Sequence, residues 1–297
     1  MPRRAPAAPI LAPLLLLLLL AAAAPAAAGA GRVDPDLPSL PELGGDHQVL
    51  VRYTPGSLER AAHVQQRLVA FAAEADAALG GRNALQVYVL SRDEWESAGF
   101  ERPFGMPEVT AGGALALPAF ADEASVRLWR DRLGGALPPP TGRAVVASAQ
   151  EAGALAAADT VGYADLARLL VERRPAAVDS PWLGELLVHL LARLPLARQF
   201  PEDLPAADAV LVGLVRAGGG DGARPLAAWR PGLPLGERLW FDGEFGRGAA
   251  ALIADRGALR ARRLLASTLK KGKPLAAGQL LEDSPALAGW LQVGFAP

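Results

Sequence analysis

The sequence has no cysteine and only three histidines among its 297 residues. Disulfides, thiolate metal sites and a cysteine nucleophile are therefore excluded. The formal net charge is −1, and no basic stripe with interleaved aromatic residues predicts nucleic acid as a partner. Composition allows a Ser/His/Asp triad, but no Gly-x-Ser-x-Gly motif is present. The glycine-rich residues 218–222 lack the lysine and hydroxyl residue of a phosphate-binding loop.

The N-terminus has the three parts of a signal peptide. Arg3 and Arg4 precede a leucine run at 14–20, and small residues follow it. The apolar run covers roughly ten to fifteen residues, whereas a spanning helix needs about 20. We expect cleavage near Ala28 or Ala30, giving a periplasmic or secreted protein with no stable membrane span. An uncleaved N-terminal membrane anchor is the alternative.

The remaining chain divides into a linker and two lobes. Turn-forming residues predict a linker over 31–46, and the prolines at 138–140 cannot continue a helix. We expect a mixed α/β lobe with a small sheet over 47–140 and a mostly helical lobe over 141–297. The fold class is therefore α+β. Strands are predicted at 48–53, 85–90 and 112–118, and helices at 58–79, 92–97, 121–133, 150–174, 181–194, 204–217, 237–256, 258–270 and 284–293.

Two consecutive predicted helices carry the most informative pattern. Residues 161–174 read VGYADLARLLVERR, and residues 180–193 read SPWLGELLVHLLAR. This pair resembles the core of the peptidase MA-like (gluzincin) metallopeptidases, and the resemblance extends over about residues 47–295. In that family the first helix carries His-Glu-x-x-His, and the second opens with Trp-Leu-x-Glu, whose glutamate is the third metal ligand. The resemblance implies a gluzincin-like fold.

The positions that correspond to the family's zinc site have mostly changed. The two histidine positions hold Ala164 and Arg168, the base position holds Asp165, and Glu185 remains as the one ligand. Alanine has no lone pair to offer, and arginine is always cationic. A catalytic zinc normally needs three protein ligands. An alignment shifted to residues 163–167 also loses both histidines, so either alignment predicts no metal and no cofactor.

The three histidines of the sequence lie in different settings. His47 precedes a predicted strand, and His63 lies on the first long helix. His189 follows Glu185 by four residues, so the two side chains share a helix face and could bind a metal together. The simpler interpretation is a polar pair, or a histidine at the edge of a leucine-rich core helix.

A specific contact follows from the resemblance. If the backbone of the family is retained, Arg168 and Glu185 face each other where the metal would lie. A guanidinium can bind a carboxylate through two hydrogen bonds, and Asp165 is a candidate second acceptor. In the alternative, Arg168 extends to solvent and leaves Glu185 hydrated.

Three classes of function remain open. The chain is expected to be a non-catalytic, peptidase-like protein of the bacterial cell envelope that binds or scaffolds an unknown protein or peptide ligand. An active hydrolase or zinc metallopeptidase with an unrecognised site is the second class. A purely structural exported domain is the third.

Overall fold

The computed structural model describes residues 39–44, 48–110, 112–140, 148–174, 176–218 and 224–295. The predicted signal peptide, most of the predicted linker, and His47 lie outside these residues. Among the described residues, no helix combines the length and apolar character needed to cross a membrane.

The described chain is a mixed α+β structure with one small sheet, as predicted at the level of fold class. The five strands are β1 (Glu42–Leu43), β2 (Val49–Tyr53), β3 (Leu85–Leu90), β4 (Glu108–Val109) and β5 (Leu115–Pro118). Their order in the sheet is β1-β2-β3-β5-β4. The three longer strands are parallel, and the two short edge strands are antiparallel to their neighbours.

The helices account for most of the structure. They are α1 (Leu58–Leu79), α2 (Arg92–Ser97), α3 (Glu123–Arg132), α4 (Ala149–Glu172), α5 (Pro181–Gln199), α6 (Leu204–Gly218), α7 (Leu235–Arg256), α8 (Ala258–Leu265), α9 (Ala277–Glu282) and α10 (Pro285–Gly294). Local signals explain several of their ends. Gly80 ends α1 with a φ of 73°, and Ser91 and Glu94 form a capping box at the start of α2.

Some predicted boundaries were wrong. Helix α5 continues through Pro195 to Gln199, although the prediction ended it at 194. Proline removes one backbone donor there, but Leu194 and Leu196 on either side are buried, and this packing favours continuing the helix. The predicted helix 258–270 is α8 followed by a π-helical turn at Ala266–Lys270. Strands β1 and β4 and helix α9 were not predicted, because two-residue strands and six-residue helices leave little periodicity in a sequence.

A single hydrophobic cluster joins the sheet to α1, α4, α5 and α7. Helix α4 approaches the sheet closely because Gly162 has no side chain. A Cβ atom at this position would lie 2.9 Å from Leu117 and 3.0 Å from Pro107. This close approach fixes the position of the next helical turn, which carries Ala164, Asp165 and Arg168.

Helices α6 and α7 also pack closely through glycines. A Cβ atom on Gly243 would lie 2.8 Å from the Leu211 carbonyl oxygen, and one on Gly246 would lie 2.4 Å from the Leu211 side chain. Backbone atoms cannot move aside as a flexible side chain can. Gly243 therefore holds α7 against α6 and fixes the position of the preceding residue, Asp242.

Candidate functional site

The candidate site is a buried cluster of charges around Arg168. Helix α4 supplies Asp165 and Arg168, α5 supplies Glu185 and His189, and α7 supplies Asp242. Their side chains are between 3 % and 13 % exposed. Buried charges are costly unless they are paired and hydrogen-bonded, so the partners within this cluster determine what the site can do.

Arg168 contacts all three acidic groups of the cluster. Its Nη1 donates to Asp165 Oδ1 at 2.6 Å, and its Nη2 donates to Asp242 Oδ1 at 2.6 Å. Its Nε donates to Glu185 Oε1 at 3.1 Å, and Nη2 also donates to this oxygen. The predicted contact between Arg168 and Glu185 is confirmed, with Asp165 as a further acceptor. The alternative, in which Arg168 extends to solvent, is wrong because its side chain is only 13 % exposed.

Two further arginines complete the cluster. Arg102, from the loop after α2, donates to Asp165 Oδ2 at 2.6 Å. Arg238, one turn before Asp242 on α7, lies 2.9 Å from Asp165 and 3.4 Å from Asp242. Three arginines therefore balance three carboxylates.

His189 lies between two carboxylates. Its Nε2 is 3.3 Å from Asp242 Oδ1 and 3.4 Å from Glu185 Oε1. Burial acts to lower the pKa of His189, but hydrogen bonding to Asp242 and Glu185 outweighs burial and raises this pKa above its usual value. The predicted polar pair of Glu185 and His189 is present, and Asp242 is a third member.

The central charges stabilise one another. Burial acts to raise the pKa of Glu185 and of Asp242, but the nearby Arg168 charge outweighs it, so both carboxyl groups have lowered pKa values. The pKa of Arg168 is raised well above its usual value by the three carboxylates, against the effect of burial. All these groups therefore remain charged at neutral pH.

The residues of the cluster do not form the zinc site that the gluzincin resemblance would imply. Ala164 supplies no ligand, and it lines a cavity of about 40 Å³ together with His189 and Asp242. Glu185, His189 and Asp242 have ligand atoms within 4.8 Å of one another, but Arg168 already bonds both carboxylates. A divalent ion at this point would meet the guanidinium charge at close range. The arrangement of these carboxylates therefore suits the Arg168 guanidinium rather than a zinc ion.

Asp242, Arg238 and Arg102 were not predicted as site residues. The signal that could have found Asp242 is its position in the run Leu239–Phe245, where two acidic residues lie among four large apolar ones. Asp242 is 2 % exposed. An acidic residue on a helix that is buried on all sides needs a cation as partner, and Arg168 fills this need.

Comparisons with known proteins identified no relative of this chain. No protein-family model matches the chain, and neither the curated proteins nor the solved structures include a match.

A second polar cluster adjoins the first and surrounds Tyr163. A cavity of about 20 Å³ is lined by His63, Arg67, Asp159 and Asp203, among others. Arg60 pairs with Asp159 at 2.5 Å, and Arg67 pairs with Asp203 at 2.7 Å. Burial raises the pKa of Tyr163 well above its usual value, so this hydroxyl stays neutral.

His63 in this second cluster should make stability depend on pH. Burial lowers the pKa of His63 to about 4, with Arg67 and Arg60 acting in the same direction and Asp159 opposing them. Between pH 6.5 and 4 the unfolded chain therefore binds a proton that the folded protein does not, so stability falls as the pH falls. Relative to His63→Asn, the wild-type protein should lose about 2 kcal/mol more between pH 7 and pH 4.5. Urea denaturation at both pH values measures this difference, and equal losses would contradict it.

Proposed function

We propose that this chain is an exported, non-catalytic, peptidase-like protein in which Arg168 takes the place of a metal ion. The observation that carries the proposal is the position of the Arg168 guanidinium among Asp165, Glu185 and Asp242. Glu185 is the residue that the gluzincin resemblance assigns as a metal ligand. An arginine at this point supplies positive charge without the open coordination position that metal catalysis needs.

The position of Arg168 among the carboxylates supports binding or scaffolding as the activity. Arg168 cannot polarise a water molecule as a metal ion does, and Asp165, at the position of the family's general base, is held by three arginines. Both oxygens of Asp165 therefore already contact guanidinium groups. The partner we propose is a protein or peptide ligand of the cell envelope.

A metal-dependent hydrolase is the second candidate. It is favoured by the grouping of Glu185, His189 and Asp242, whose ligand atoms lie within 4.8 Å of one another. This function would require Arg168 to leave its three carboxylates so that an ion could enter.

Metal analysis distinguishes the two candidates. After dialysis, the purified protein should contain far less than one zinc ion per chain, because Arg168 occupies the space between the carboxylates. It should also fail to hydrolyse a mixed peptide library when zinc is added. Stoichiometric zinc that survives dialysis, together with zinc-dependent hydrolysis, would establish the second candidate instead.

Export is tested separately. Mass spectrometry of the protein recovered from a bacterial envelope fraction should show a mature N-terminus near Gly29 or Gly31, because small residues follow the leucine run. An intact Met1 in the membrane pellet would support the N-terminal anchor instead.

A further inference from the structure

The cationic residues near the C-terminal end are distributed unevenly. All three lysines of the chain lie at positions 270, 271 and 273. Residues 256–273 contain seven lysine and arginine residues and no acidic residue, although the whole chain has a formal net charge of −1. A concentration of this kind creates a local positive potential on a nearly neutral protein.

Most of these cations point into solvent. Arg256 pairs with Asp283 at 3.2 Å, and Arg262 pairs with Glu74 at 3.0 Å. The other five are exposed, and we call them the basic face: Arg260, Arg263, Lys270, Lys271 and Lys273.

Neighbouring segments bring further cations to the basic face. The Leu275 backbone donates to the Ala177 carbonyl at 2.8 Å, which places the loop after α4 beside the residues that follow Lys273. Arg174 donates to the Leu79 carbonyl at the end of α1. A Cβ atom on Gly80 would lie 3.1 Å from Lys270 Cε. Arg82, Arg173 and Arg174 are exposed in these two loops.

The acidic residues around this surface do not cancel its charge. Glu172 is exposed beside Arg173, Asp179 accepts hydrogen bonds from the Ala277 backbone, and Asp76 is bonded to Asn83 and Gln48. Cations near the C-terminal end of a helix also stabilise that helix, which accounts for Lys270 and Arg174. Arg263 lies in the last turn of α8 and is explained in the same way, whereas Arg260 and Lys273 are not.

An exposed leucine lies among these cations. Leu259 on α8 is 59 % exposed, next to Arg260 and one helical turn before Arg263. Residues four apart share a helix face, so Leu259 and Arg263 point in the same direction. The opposite face of α8, with Ala261 and Leu265, is buried. A helix that lies at a membrane interface carries exposed apolar and cationic side chains together in this way.

We propose that the basic face binds the surface of an anionic phospholipid membrane. The arginine and lysine side chains contact the phosphate groups, and Leu259 enters the boundary between headgroups and acyl chains. A membrane is favoured over a soluble polyanion because a soluble polyanion would have no use for Leu259. The inference is independent of the function proposed for the Arg168 cluster.

Vesicle co-sedimentation of the full chain tests the proposal. The probes are vesicles of pure phosphatidylcholine and vesicles that also contain phosphatidylglycerol. The triple variant Lys270→Glu, Lys271→Glu, Lys273→Glu should bind the anionic vesicles at least about tenfold more weakly than the wild type. Binding should also weaken as salt is added. Neutral vesicles measure any contribution from the leucine-rich residues 14–20, which all variants share.

Two controls make the result specific. The variant Arg127→Glu, Arg216→Glu, Arg230→Glu makes the same change in net charge at exposed positions elsewhere, and it should bind nearly as well as the wild type. Leu259→Ser should weaken binding to anionic vesicles about threefold and leave binding to double-stranded DNA unchanged.

Equal losses in the two triple variants would overturn the proposal. So would tighter binding to DNA than to vesicles together with no effect of Leu259→Ser. Arg168→Ala should bind vesicles as the wild type does, so failure here is separate from failure of the proposed function.

Discussion

Replacing Arg168 by alanine should lower the free energy of unfolding by about 3 to 5 kcal/mol. The change removes the hydrogen bonds from Arg168 to Asp165, Glu185 and Asp242. Asp165 keeps Arg102 and Arg238, and Asp242 keeps Arg238. Glu185 keeps only His189, so its buried charge is left poorly compensated. Urea denaturation at pH 7 measures the loss.

An exposed arginine provides the control. Arg127 is 58 % exposed and pairs with Glu123 on the surface of α3. Arg127→Ala should change stability by no more than about 0.5 kcal/mol, because exposed ion pairs contribute little. An Arg168→Ala variant with the same denaturation midpoint as Arg127→Ala would show that the central cluster contributes no net stability.

The stability lost in the Arg168→Ala variant should depend on pH. In the wild type, Glu185 and Asp242 have pKa values lowered below those of the unfolded chain. Their contribution to stability is therefore present above about pH 4 and is lost as the pH falls through the folded pKa values. Without Arg168, burial should dominate and raise the pKa of Glu185. The wild type and Arg168→Ala should therefore become closer in stability as the solution is acidified from pH 7 to pH 4.

The sequence predicts the secondary structure well where apolar periodicity is strong. Helix α1 and strand β3 have the predicted bounds, because each has a long or uniform apolar pattern ended by glycine or by a capping serine. The edge strands β1 and β4 have two residues each. Their pairing depends on the neighbouring strand rather than on their own pattern, so local reasoning cannot find them.

The candidate site could be predicted only in part. The contact between Arg168 and Glu185, 17 residues apart, is predicted from the resemblance of their two helices to a metallopeptidase motif. Asp242 is 74 residues from Arg168 in sequence, and no local pattern links them. Its contact depends on how α7 packs against α6 through Gly243, which is a tertiary property. Arg102 comes from a loop whose path depends on the sheet edge, so it could not be placed either.

Zinc should stabilise the Arg168→Ala variant and leave the wild type unchanged. Removing the guanidinium frees the space between Glu185, His189 and Asp242. In the present structure the His189 Nε2 atom lies 3.3 Å from Asp242 Oδ1 and 3.4 Å from Glu185 Oε1. Two ligands at about 2.1 Å from a tetrahedral zinc ion lie about 3.4 Å apart. The spacing of these ligand atoms therefore suits an ion once the arginine has gone.

The size of this rescue follows from mass action. Zinc at one hundred times its dissociation constant should stabilise the variant by about 2.7 kcal/mol, which replaces much of the stability lost with Arg168. Thermal unfolding with and without zinc, at a pH where His189 is neutral, measures the effect. The double variant Arg168→Ala, His189→Ala has the same open space but only two carboxylate ligands, and zinc should stabilise it far less. If zinc stabilises the single and double variants equally, the ion binds elsewhere, and Arg168 does not occupy the position of a metal ion.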